Sequence, residues 1–104
     1  MNILVIDTSD SKNIRVGIKI NGKSKYISSN AKVLKAQAVL PLIDKVLKAN
    51  NINLSDINKI KVNTGPGSFT GLRVGISIAN ALGFFLKIPI NEKKVGKLAA
   101  PKYK

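Results

Sequence analysis

A single α/β domain with a mixed sheet, its elements in the order βββαβα, is the fold predicted by this 104-residue sequence. Three observations carry that reading. An apolar, β-branched run, Ile3-Leu4-Val5-Ile6, opens the chain. Strict alternation follows over Ile14, Val16, Ile18 and Ile20. Two longer segments then repeat apolar residues at spacings of three and four. The length suits one core, since domains typically organise roughly 100 to 150 residues.

Each element has its own signal. Met1 to Thr8 reads as a central strand, because a continuous apolar run bounded by polar residues suits a strand buried on both faces. Ser9 to Asn13 turns the chain into the half-buried strand ending at Ile20. Asn21-Gly22 suits the positive backbone angles of a type I′ hairpin, with Lys23 to Ser29 returning as the third strand. From Ala31 to Asn50, Val33, Ala36, Val39, Leu40, Ile43, Val46 and Leu47 mark an amphipathic helix that Pro41 kinks without breaking. After a polar loop, Ile57, Ile60 and Val62 mark a short fourth strand, and Ser68 caps a second helix running to about Lys87, stopped by Pro89. The domain is expected to occupy residues 1–90, with 91–104 a short helix or basic tail carrying Lys93, Lys94, Lys97, Lys102 and Lys104.

Composition narrows the chemistry. With no Cys and no His there is no disulfide, thiolate nucleophile or Ser-His pair, and the common zinc sites are missing. No stretch offers the ~18 uninterrupted apolar residues of a membrane span, and the opening run is too short for a signal peptide, so a cytoplasmic protein without membrane contact is expected. The net charge of +13 favours acidic partners such as nucleic acid. Its bland rival is genome composition, since 16 of the cations are Lys and the chain is also rich in Ile and Asn.

Thr64-Gly65-Pro66-Gly67-Ser68-Phe69-Thr70-Gly71 joins a strand to a helix, where backbone N–H groups and the helix dipole favour an anion. It is neither a Walker A loop, which ends in Gly-Lys-Ser/Thr, nor the dinucleotide fingerprint, because Gly71 lies four residues after Gly67. A tight turn with close helix packing explains the same glycines, and both readings stay open. The run Asn63 to Ala81, together with Ile3 to Ser9 and Gln37-Ala38-Val39-Leu40-Pro41-Leu42, resembles the TsaB (YeaZ) family of tRNA threonylcarbamoyladenosine biosynthesis proteins, over residues 1 to about 90. The resemblance is to the N-terminal half of that family. It implies an actin-like, ribonuclease-H-like half-domain without the nucleotide cleft between halves. It also implies a noncatalytic partner of TsaD, the subunit that transfers the threonylcarbamoyl group to a tRNA adenine beside the anticodon. The TsaE ATPase is a further implied partner, and a homodimer is the alternative when the chain is alone. Lys35 departs from the family, which often has His there, and the protease label attached to relatives finds no His or Cys ligands here.

The acids do not assemble a metal centre on paper. Asp7 ends the first strand, whereas Asp10, Asp44, Asp56 and Glu92 fall in turns, on a polar helix face or in the tail, so Asp7 is expected to order its turn through Thr8 and Ser9. No cofactor or metal is expected. The second helix is more informative: Arg73, Ser77, Asn80 and Lys87 form one narrow polar stripe, and Gly71, Gly75, Ala79 and Gly83 lie along one ridge that admits a close helix. The resemblance implies that both helices of this half pair with those of TsaD or of a second copy, so Ala36, Val39, Leu40 and Ile43 with Leu72, Gly75, Ile76, Ala79 and Gly83 are the expected partner interface. The expected function is that of a noncatalytic assembly subunit docking by its helices on a TsaD-like enzyme, with tRNA met indirectly or through lysines. The alternative is a small basic RNA-binding module, and an independent actin-like ATPase is disfavoured because only one half of the ATP clasp is present.

Overall fold

The computed structural model describes residues 1–10, 13–30 and 36–101. Its strands are β1 (Asn2–Asp7), β2 (Asn13–Ile20), β3 (Lys23–Asn30) and β4 (Lys59–Val62), with helices α1 (Ala36–Ala49) between β3 and β4 and α2 (Phe69–Leu86) after β4. The sheet runs β3-β2-β1-β4, antiparallel except for the parallel β1/β4 pair. This is the expected mixed sheet, with the crossover helix α1 carrying the chain to the parallel edge.

The β2/β3 hairpin closes as its residues require. Asn21 and Gly22 have φ of 50° and 86°, the pair of positive angles that a type I′ turn demands. Helix α1 continues through Pro41, which sits on its exposed side. The part of the expected helix from Ala31 to Lys35, Val33 included, lies outside the described residues. The loop after α1 contains a short 3₁₀ turn, Leu54–Asp56. Helix α2 starts where Ser68 accepts a hydrogen bond from the Gly71 N–H and ends at Lys87 in the left-handed conformation.

Both helices cover one face of the sheet. Leu4, Ile6, Ile14, Val16, Ile18, Ile60 and Val62 project to that side and are buried against Val39, Ile43 and Val46 of α1 and Leu72, Ile76 and Ala79 of α2. At roughly 1.5 to 3 kcal/mol per fully buried aliphatic side chain, this single layer supplies the main driving force for folding. The opposite sheet face carries the alternate residues, which stay half-buried or exposed apart from Gly17 under Tyr26.

The stretch after Ile90 forms no helix among its described residues. It is nonetheless held to the domain by two asparagines whose amides imitate a peptide group. Asn91 Oδ1 accepts from the Val62 N–H at 2.8 Å while its Nδ2 donates to the Val62 carbonyl at 2.9 Å, closing the outer edge of β4. Asn80 does the same to Ala99 at 2.8 and 3.0 Å, and Ala99 is buried. Among the described residues no helix is long and apolar enough to cross a membrane.

Candidate functional site

The end of β1 meets the glycine-rich loop in a dense polar junction. The Asp7 carboxylate accepts from the Ser9 N–H at 3.0 Å and the Ser9 hydroxyl at 2.6 Å, and Asn63 Nδ2 donates to that hydroxyl at 3.2 Å. Burial pushes the Asp7 carboxyl up, but the Ser9 hydroxyl and N–H, the Asn63 amide and the Arg15 charge outweigh it and hold the group below its usual value. Asp7 thus orders its turn through Ser9, and Thr8 acts elsewhere. Among the described residues no three His, Cys, Asp or Glu side chains stand close enough to share a metal ion.

The loop glycines answer to packing. Gly65 has φ of 121° and precedes Pro66 through a cis peptide. A Cβ on Gly67 would lie 2.6 Å from Ser9 Cβ, and the next residue, Ser68, donates its N–H to the Ser9 carbonyl at 2.8 Å. The Phe69 side chain lies outside the description, and Thr70 is exposed. The Thr8 hydroxyl, fully buried, donates to the Gly71 carbonyl and accepts from the Gly75 N–H at 3.1 Å. Those two groups are one helical turn apart, so a single hydroxyl fastens β1 to α2.

This geometry places most of the expected interface residues inside the chain's own core. The ridge Gly71, Gly75, Ala79 and Gly83 faces the chain's own sheet: a Cβ on Gly75 would sit 2.4 Å from Thr8 Oγ1, and one on Gly83 2.5 Å from Ile90 Cδ1. Val39, Ile43, Leu72, Ile76 and Ala79 are buried in the core, so a partner cannot reach them without unfolding the layer. The Ala36 side chain lies outside the description. Of the eight whose side chains are described, only Leu40 is exposed, at 49%.

The helix layer still presents an apolar outer surface. Phe84 and Phe85 are 79% and 75% exposed, and Phe85 falls on the same outward strip as Val74 and Ala81. Leu82, beside that strip, joins Leu40, Leu47, Ile52 and Leu54 in a groove of about 280 Å³ between α1 and α2. The readable signal was that the apolar arc of α2 exceeds what one sheet covers.

A family model described as "TsaD: tRNA N6-adenosine threonylcarbamoyltransferase" matches residues 29–92, more than half of the sequence. The chain belongs to the TsaD/TsaB (YeaZ) family. Its similarity is to TsaB over most of its length: 44% identity to "tRNA threonylcarbamoyladenosine biosynthesis protein TsaB" of Buchnera aphidicola subsp. Schizaphis graminum, over 85% of this chain and 41% of that protein. The Bacillus subtilis TsaB is 35% identical over 88% of this chain and 40% of its own length. The solved YeaZ from Pseudomonas aeruginosa superposes with a TM-score of 0.77 at 30% identity, over 86% of this chain and 41% of that one. The TsaB-type chain therefore spans about two fifths of the relatives it matches, and its fold is their actin-like, ribonuclease-H-like one.

Proposed function

We propose that this chain acts in tRNA threonylcarbamoyladenosine biosynthesis as a noncatalytic assembly subunit, docking the outer surface of α1 and α2 on a TsaD-like enzyme. The observation that carries the reading is the solvent-facing apolar set Leu40, Phe84 and Phe85 on a helix layer whose inner side is already filled. Large exposed aromatics at adjacent positions are what a partner buries at the centre of an interface. The family model supports the choice of partner: a chain that matches a TsaD model carries a helix pair with a counterpart in TsaD, so the two can meet face to face as a second copy would. The names of the TsaB relatives support the choice of pathway. The noncatalytic part of the reading is supported by an Asp7 carboxylate already engaged by Ser9 and Asn63, in a sequence that offers no His or Cys as a nucleophile or base. When the enzyme is absent, a second copy takes the same face, and a TsaE-type ATPase belongs to the larger assembly.

Co-expression with the TsaD-like protein of the same source, followed by mass measurement in solution, tests the proposal. A one-to-one complex that Phe85→Asp and Leu40→Asp disrupt is the expected result. Two proteins that elute separately at micromolar concentration would overturn it, as would a complex indifferent to both substitutions.

A further inference from the structure

The face of the sheet turned away from the helices is the most distinctive surface that the docking role leaves unused. Strand register sets its pattern. Ile3 lies opposite Lys19 on β2 and Lys59 on β4, Val5 opposite Gly17 and Lys61, and Asp7 opposite Arg15. Gly17 in turn faces Tyr26 on β3, whose ring occupies the space a Cβ would need. The Arg15 guanidinium rests over that ring, 4.1 Å from its centre. A basin of about 340 Å³ results, floored by Ile3, Val5 and Tyr26 and rimmed by Lys19, Lys59 and Lys61.

From this arrangement we infer that the open sheet face binds single-stranded RNA, with phosphates on Lys19, Lys59, Lys61 and Arg15 and bases against Ile3, Val5 and Tyr26. Charge decides the class of occupant. Like-charged lysines oppose a second copy of the chain on this face, and three of them surround an apolar floor that a simple salt-bridged surface would not need. The floor distinguishes an unpaired strand from a duplex: unstacked bases offer apolar faces, whereas a duplex offers phosphate and sugar. An acidic protein segment is the competing occupant. It would use the same cations but has no planar groups to fill the space between them. Two acids border the face. Asp7 is held by Ser9 and Asn63, and Glu92 approaches Lys59 at 3.4 Å, an exposed contact that a phosphate can displace. This inference stands on the face itself and does not depend on the docking role.

The test is fluorescence anisotropy of the whole chain with a short labelled mixed-sequence single-stranded RNA across a salt series. Replacing Lys19, Lys59 and Lys61 together by Gln should flatten the log–log salt dependence by about 2, from roughly 0.7 for each single-strand phosphate contact, and weaken binding about a hundredfold near ~0.1 M salt. Lys45, Lys48 and Lys87, changed together to Gln on the helix side, should alter affinity less than about threefold. Glu92→Gln should tighten binding, because it frees Lys59. Circular dichroism of each variant checks the fold. Equal losses in the two lysine sets would reduce the effect to diffuse charge and overturn the inference. So would a Glu92→Gln variant with unchanged affinity, a wild-type chain that fails to bind RNA at low salt, or polyglutamate that binds as tightly with the same dependence on the three lysines.

Discussion

Gly75→Ala, a change that would stabilise an isolated helix by about 1 kcal/mol, should destabilise this protein. The new Cβ would stand 2.4 Å from Thr8 Oγ1 and 3.3 Å from Thr8 Cγ2, both atoms of a fully buried side chain without room to swing away. Overpacking of this kind costs about 1 to 3 kcal/mol. Displacing the hydroxyl also strains its two bonds to Gly71 and Gly75, at about 1 kcal/mol each. After subtracting the helix gain, the net loss should be about 1 to 3 kcal/mol, or roughly 4 to 8 °C in Tm per kcal/mol for a domain near this size. Thr8→Ala alone loses the bridge, but the Gly71 carbonyl and Gly75 N–H can then pair as ordinary helix partners, so its cost should be about 1 to 2 kcal/mol. In the double variant the remaining named neighbour of the new Cβ is Ile6 Cγ2 at 3.4 Å, an ordinary contact. Its stability should therefore equal or exceed that of Thr8→Ala, giving a favourable coupling of about 1 to 3 kcal/mol in a double-mutant cycle. Urea unfolding followed by circular dichroism measures all four corners. Additive losses in the double variant, or a Gly75→Ala protein more stable than the parent, would refute the reasoning.

Three further outcomes are expected. Asn91→Ala deprives both backbone groups of Val62 of their partner and should cost about 1 to 2 kcal/mol, with faster amide exchange at Val62 as the local readout. Against the upward push of burial, its bonds to Ser9 and Asn63 hold the Asp7 carboxyl below the usual aspartate range, so it contributes stability above that range which is lost as pH falls through the lower folded value; Asp7→Asn should remove that part of acid unfolding, measured by comparing urea midpoints of the two proteins at neutral and acid pH. Phe84→Ser and Phe85→Ser, at positions mostly open to solvent, should shift monomer stability by no more than ~0.5 kcal/mol. Each should nonetheless weaken association with the TsaD-like partner by tenfold or more, about 1.4 kcal/mol, in titration calorimetry.

Local periodicity revealed β2 and the helices because their burial is one-sided, whereas β1, expected from its continuous apolar run to be buried on both faces, is covered on one only, with Ile3 and Val5 half-buried on the other. The alternation in β2 and the three-and-four spacing of α1 follow directly from a sheet with one covered face, and Asn21-Gly22 marks its turn by backbone angles alone. Which side of α2 meets the sheet was less legible. Its apolar residues spread round most of the helix, so the wheel identified the ridge Gly71–Gly75–Ala79–Gly83 without saying what lies against it. The answer depends on Thr8, 67 residues before Gly75, through a contact that no local pattern encodes. The same holds for Asn80 and Asn91. Both read as polar surface, and only the return of the chain past α2 and β4 turns their amides into substitutes for a strand partner.

The small-residue ridge and the exposed phenylalanines are two consequences of one constraint. A parallel βα unit needs its helix close to the strand, and Gly75 and Ala79 permit that approach; the shorter the distance, the more of the helix circumference the sheet covers. Residues on the far side then gain nothing from the domain's own core. Phe84 and Phe85 lie there, where an unassisted monomer would favour charged or small polar residues. Ala79→Leu illustrates the division: with Ala79 fully buried, three added heavy atoms would strain the monomer first and any association second. Assembly is therefore to be probed from outside the layer, at Leu40, Phe84 and Phe85, and the ridge treated as the device that turns those side chains outward.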